Sequence, residues 1–144
     1  MIMDSQLLFS DEQAVTAAAD STNVVDLGVA RDIGISDLWL FLLVTETMDD
    51  TGDDSTLAVT LVTDDNAALS SDSVVMSLVT IPALTAAGTI YFWRIPTEIL
   101  VAYERYLALA YTPGNGNLSA GKFTAGIVKD IQHWTAFASG FSVS

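Results

Sequence analysis

Two residue types that often carry protein chemistry are scarce in this chain of 144 residues, which has no cysteine and one histidine, His133. Without cysteine there is no disulfide bond, no thiolate nucleophile and no cysteine-ligated zinc. One histidine cannot supply a multi-histidine metal site within one chain, and no second histidine is present to share acid–base work. These shortages exclude several large classes of enzyme and metalloprotein.

Positive charge is also scarce, because 5 lysine and arginine residues face 18 aspartate and glutamate residues, which gives a formal net charge of −13. Such a chain does not bind nucleic acid by neutralising phosphates, and anionic membrane surfaces disfavour it. Charged residues make up 16% of the chain, against a usual share of about 25%, and hydrophobic residues make up 51%. The composition therefore predicts an acidic, core-rich domain whose surface is unusually uncharged or is covered within an assembly.

Long hydrophobic runs are missing as well. The longest apolar block, Leu38 to Val44, has seven residues, whereas a membrane-spanning helix needs about 20. Residues Met1 to Asp4 contain no basic residue and open no long apolar stretch. We therefore expect neither a classical export signal nor a transmembrane helix.

Most of the chain has the pattern of short β-strands separated by turn-forming clusters. Leu57 to Thr63 alternates between two faces, and Val74 to Ile81 is rich in Val, Ile and Thr and stops at Pro82. Asp49–Asp54 and Thr112–Asn117 have the composition of turns, and for Gly114–Gly116 a hairpin-type loop is favoured over a phosphate-binding loop. The predicted strands span residues 23–28, 38–46, 57–63, 74–81, 89–95, 106–112 and 123–128.

Short strands at regular spacing predict an all-β fold. Seven or eight strands fit the length, and eight suit a jelly-roll-like antiparallel β-sandwich made of two sheets. We predict one such domain over residues 1–132, followed by an aromatic C-terminal tail over residues 133–144. The alanine-rich residues 14–19 leave a short helix open as an alternative, although Val15 and Thr16 argue against a long one.

The two ends of the chain are candidates for contacts between subunits. Residues 7–15 are apolar yet precede the first clear strand, as an inter-subunit arm does, and their candidate contacts are Leu8, Phe9 and Val15. The tail adds the aromatic side chains Trp134, Phe137 and Phe141, and aromatic residues are enriched at interface anchors. Packing within the same chain is the alternative for both ends.

Acidic residues provide the remaining candidates for chemistry. Converging carboxylates can bind calcium, but their spacing does not match a known calcium loop, and solvated turn residues are the favoured interpretation. Paired carboxylates for glycoside hydrolysis would have to come from Glu46, Glu98 or Glu104, and none has the surroundings of a sugar cleft. A Ser–His–Asp catalytic triad would have to use His133, but the sequence contains no G-x-S-x-G motif to supply its serine. We therefore predict no catalytic, cofactor-binding or metal site; the acidic residues considered are Glu46, Asp49, Asp50, Asp53, Asp54, Asp64, Asp65 and Asp72.

Three blocks of sequence resemble a family of tailed-bacteriophage capsid cement proteins, typified by the cement protein of a Bordetella phage. The first block runs from Leu8 to Ala17 and continues from Ser21 to Gly28, and the second is Thr63 to Ser70. The third runs from Glu104 to Thr112 and continues from Ser119 to Val128. The blocks stand in the family's order, whereas the tail from His133 onward departs from its pattern.

The resemblance implies a jelly-roll sandwich that binds the outer surface of an expanded icosahedral capsid and bridges subunits of the major capsid protein. It further implies a homodimer or homotrimer with no enzymatic activity and no cofactor, made in the host cytoplasm and carried on the virion. The alternative is a virion adhesion or glycan-binding module, which would need an exposed aromatic platform such as Trp39 or Trp93. Neither function involves nucleic acid or a membrane as a partner.

Overall fold

Two antiparallel β-sheets form the molecule in a computed structural model that describes residues 3–30, 38–95, 103–129 and 131. A short 3-10 helix, Ser5–Leu7, precedes the first strand. No helix among these residues has the length and apolar character needed to cross a membrane. The strands are β1 (Leu8–Ala14), β2 (Ala19–Asp20), β3 (Val25–Asp26), β4 (Trp39–Asp49), β5 (Thr56–Asp64), β6 (Ser73–Ile81), β7 (Ile90–Arg94), β8 (Tyr106–Gly114) and β9 (Ala120–Val128).

The strands pair in nested order, the first with the last. Sheet A has the order β1-β9-β4-β7, and sheet B has the order β2-β8-β5-β6, with β3 also pairing with β8. If β2 and β3 are counted as one interrupted strand, eight strands form the pairs β1–β9, β2/β3–β8, β4–β7 and β5–β6. This is the wrapping of a jelly roll, so the predicted all-β antiparallel sandwich is confirmed.

The first strand, β1, has no counterpart among the strands predicted from the sequence. The expectation that residues 7–15 precede the first strand is wrong, because Leu8–Ala14 pairs with β9. The alternation of β1 is broken by bulges, and Glu12 has a left-handed φ of 47°, with its amide donating to the Thr124 hydroxyl. The alanine-rich stretch does not form a helix either, since Val15 is buried and Ala19 begins β2.

Most connections between the described strands cross from one sheet to the other. The sequence predicts a hairpin-type loop at Gly114–Gly116, but this turn links β8 in sheet B to β9 in sheet A. Asn115 and Gly116 both have positive φ there, at 63° and 125°, which Asn and Gly adopt most readily. Among the described strands that follow one another in sequence, β5 and β6 are direct neighbours in one sheet.

One continuous apolar core lies between the two sheets. Leu40 and Leu42 of β4 and Phe123 of β9 supply the core from sheet A, and Leu57 and Leu61 of β5 supply it from sheet B. Each of these side chains is fully buried. Burying one such side chain stabilises the fold by about 1.5–3 kcal/mol, so this core is the main source of stability.

A buried polar link joins the two sheets beside this core. The Ser10 hydroxyl of β1 lies 2.8 Å from the Tyr111 hydroxyl of β8, and it also donates to Gln13 Oε1 at 2.7 Å. Gln13 Oε1 accepts from the Thr22 amide, and Gln13 Nε2 donates to the Asp20 carbonyl. Burial raises the pKa of Tyr111 well above its usual range, so this hydroxyl stays protonated and keeps the link.

Replacing Tyr111 with Phe tests this link. The ring and its stacking on Phe123 are retained, but one buried hydrogen bond is lost. We expect the free energy of unfolding to fall by about 1 kcal/mol, measured by urea denaturation. Tyr106→Phe is the control, since Tyr106 is half-buried at the start of β8, and an equal loss in both variants would contradict the assignment.

Candidate interaction surface

The carboxylates of Asp64, Asp65 and Glu104 come together at the end of β5, with one oxygen from each within 4.8 Å of the others. Asp64 is fully buried, and its oxygens are already engaged. They accept from the amides of Asn66 and Ser71, at 3.0 and 2.8 Å, and from the Ser71 hydroxyl. These hydrogen bonds fix the start of the loop that connects β5 to β6.

These hydrogen bonds lower the pKa of Asp64, with the Ser71 amide as the largest cause. A general acid for glycoside hydrolysis needs the opposite, a raised pKa in an apolar cleft. The sequence offered Glu46, Glu98 and Glu104 for that role. Glu46 forms an ion pair with Lys122 at 3.1 Å, Glu104 is half-buried beside Asp64, and Glu98 lies outside the described residues. Among these residues, Asp64 and Glu46 are engaged with partners within the chain.

Asp64→Asn tests the structural role of this carboxylate. A depressed folded-state pKa contributes stability above the unfolded value of 3.8, and this contribution is lost as the pH falls through the folded pKa. We expect the variant to unfold at lower urea concentration than the parent chain at pH 7, and the gap to close as the pH is lowered below about 4.

The control for this experiment is Asp53→Asn. Asp53 is exposed and has a left-handed φ of 58°, which Asn also adopts readily. It should change stability little at either pH. A gap between the Asp64 variant and the parent chain that stays constant with pH would show that the carboxylate charge is not involved.

The predicted N-terminal contacts have different surroundings. Phe9 and Val15 are buried in the protein's own core, so packing within the chain, the alternative left open by the sequence, describes both side chains here. Leu8 is half-buried on the other face of β1. It lines an open groove of about 630 Å³ with Ser5, Gln6, Thr22, Asn23, Val24 and Asp26.

The predicted contacts in the tail, Trp134, Phe137 and Phe141, lie outside the described residues, as does His133. Their roles therefore stay predictions.

The glycan-binding alternative requires Trp39 or Trp93 to form an exposed aromatic platform. Trp39 and Trp93 are both half-buried. Trp93 stacks on Tyr91 with a distance of 5.8 Å between ring centroids, and it packs against the core. Neither tryptophan forms an exposed platform of the kind that this alternative requires.

The outer face of sheet A is apolar at its centre but is not free. The pairing places Phe41 of β4 between Phe92 of β7 and Gly126 of β9. Phe41 is nevertheless 0% exposed. A Cβ on Gly126 would lie 2.8 Å from the Leu7 carbonyl and 3.1 Å from the Phe41 ring, which shows how closely the N-terminal segment covers this face.

The described strands leave four edges on the sandwich, which differ in charge and length. β1 contains Asp11 and Glu12, β2 and β3 are two residues each and contain Asp20 and Asp26, and β7 is short and ends at Arg94. Charged or short edges resist pairing with another strand. β6 has nine residues without a charge, so it is the long uncharged edge among the described strands.

Apolar side chains accompany this uncharged edge. Val74 is 53% exposed on the outer face of sheet B, and other apolar residues are half-buried against the core. No strand pairing joins β6 to β7 within the described part of the chain, although Tyr91 and Trp93 of β7 pack against the same core. We name this region the β6 edge; its half-buried apolar residues are Val75, Met76, Leu78 and Val79.

The β6 edge was not identified as a surface from the sequence. The strand itself was predicted from its Val, Ile and Thr content, but the position of a strand within its sheet depends on pairing order, which no local pattern gives. The available signal was the absence of charge over residues 73–81 in a chain with a net charge of −13.

Comparison with known proteins gives a family match. The model of the family described as Bbp16 matches residues 9–127, from the second residue of β1 to the penultimate residue of β9. No curated protein matches the chain.

Proposed function

Because this chain belongs to the Bbp16 family of phage structural proteins, we propose that it is a capsid cement protein. It binds the outer surface of an expanded icosahedral capsid and bridges neighbouring subunits of the major capsid protein. The observation that carries the proposal is the family match over nearly the whole sandwich. The protein acts as a homo-oligomer and without enzymatic activity.

The charge of the chain supports an exterior position. With a net charge of −13, the protein is repelled by packaged DNA and is favoured on the outside of the shell. The jelly-roll sandwich also suits a protein that holds two capsid subunits together, because its two sheets pack on one continuous core and form a single structural unit.

The physical mechanism is linkage between binding and assembly. A protein that binds the assembled lattice but not separated subunits stabilises the lattice by RT ln(1 + [L]/Kd) at each site, about 2.7 kcal/mol at one hundred times Kd. A site that spans two capsid subunits is lost when those subunits separate. An oligomer binds at several points, so its avidity can exceed the affinity of one site by about 10²–10⁴.

Co-sedimentation with expanded capsids that lack this protein tests the function. We expect saturable binding at hundreds of copies per particle, counted by quantitative gel, because a lattice offers one site per repeating contact. Binding at a dozen copies or fewer would instead indicate a vertex, neck or tail component. Absence of binding would overturn the cement function and leave the fold unaffected.

Of the three predicted N-terminal contacts, Leu8 is the one whose side chain is half-buried and lines the open groove. We propose that Leu8 contacts a capsid subunit through this groove. Leu8→Glu should weaken capsid binding at least tenfold, because a charge would be buried against the partner. Val29→Glu is the control, since Val29 is 62% exposed and receives the same charge. Equal effects of both variants, with thermal melts unchanged, would contradict a contact at Leu8.

A further inference from the structure

We propose that the β6 edge is the surface through which two copies of this chain associate, by antiparallel pairing of β6 with β6 of a second copy. The biological role of this dimer rests on the proposed function. The proposal deepens that function by naming the surface through which the protein associates with itself. The pairing would join two copies of sheet B into one continuous sheet across a two-fold axis.

The first argument is the chemistry of the edge. A strand at the edge of a sheet has unpaired amide and carbonyl groups that form a template for another strand. β6 has nine residues, and none is Asp, Glu, Lys, Arg or Pro. Its two bulges, at Val75 and Leu78, add twist, but they leave the edge without the charge that the other described edges have.

The second argument is electrostatic. Two copies with a net charge of −13 each repel one another, so they approach most easily where neither surface carries a charge. Residues 73–81 provide such a surface, and Asp72 and Pro82 flank it at its two ends. A partner with many basic residues would gain more from the acidic loops than from this neutral edge, so the neutral edge favours a second acidic copy.

The third argument concerns direction. In antiparallel pairing centred on Ser77, Val74 of one copy faces Thr80 of the other. The two Asp72 carboxylates then lie at opposite ends of the paired region, roughly 30 Å apart at about 3.3 Å per residue. That separation is more than three times the Debye length of about 8 Å at physiological salt, so their repulsion is screened. Parallel pairing would place these carboxylates side by side.

Ser77→Lys tests the pairing, because Ser77 is exposed at the centre of β6 and two lysines would face each other across the axis. Sedimentation velocity should show a concentration-dependent dimer for the parent chain and at least a tenfold weaker dimer for the variant. Thr112→Lys is the matched control, since Thr112 is exposed on β8, inside the same sheet, and should leave the dimer unchanged. Both variants lower the net negative charge equally, so a general charge effect would act on both.

Hydrogen exchange on the parent chain provides a readout that needs no variant. The outward amides of β6 should exchange more slowly as the protein concentration rises, while those of β7 should not change. A parent chain that stays monomeric, equal dimer loss in both lysine variants, or β6 amides insensitive to concentration would each overturn the proposal. Capsid co-sedimentation is measured separately, so a failed dimer and a failed cement function are distinguishable.

Discussion

The structure depends on keeping strong negative charge outside one continuous apolar core. Eighteen carboxylate residues face five basic ones, and most of the described carboxylates lie in loops or at strand ends. Asp64 is the buried carboxylate among the described residues, and the amides and hydroxyl of the following loop stabilise its charge. Because charge is confined in this way, the neutral β6 edge stands out as a surface where another acidic protein can approach.

Closure of the sandwich comes from residues far apart in sequence. β1 pairs with β9, and the Ser10–Tyr111 contact joins residues that are separated by 101 positions. A fold closed by such non-local contacts is expected to form more slowly than one with mainly local contacts. The residues that match the family model begin in β1 and end in β9, and these two strands are neighbours in sheet A. The family match and the sandwich therefore cover nearly the same residues.

Local patterns predicted six of the long strands, because apolar, aromatic or β-branched residues persist over at least five residues in each. They missed β1, where the bulge at Glu12 interrupts alternation, and β2, whose two residues are too few to give a pattern. The candidate surfaces were harder to predict. Which side chains of residues 7–15 face the core depends on the bulges of β1, and the edge position of β6 depends on pairing order. For the same reason the turn at Gly114–Gly116 was mistaken for a hairpin-like loop.

Pairing at the β6 edge also limits the assembly to two copies. In an isologous contact both copies use the same strand, so a dimer leaves neither β6 free to recruit a third chain. A heterologous contact between different edges would instead continue into a fibre, but the remaining described edges are charged or short. The proposed cement role requires a protein that remains dispersed until it meets its capsid. One neutral edge on an acidic body meets that requirement, because it permits one partner copy and opposes further growth.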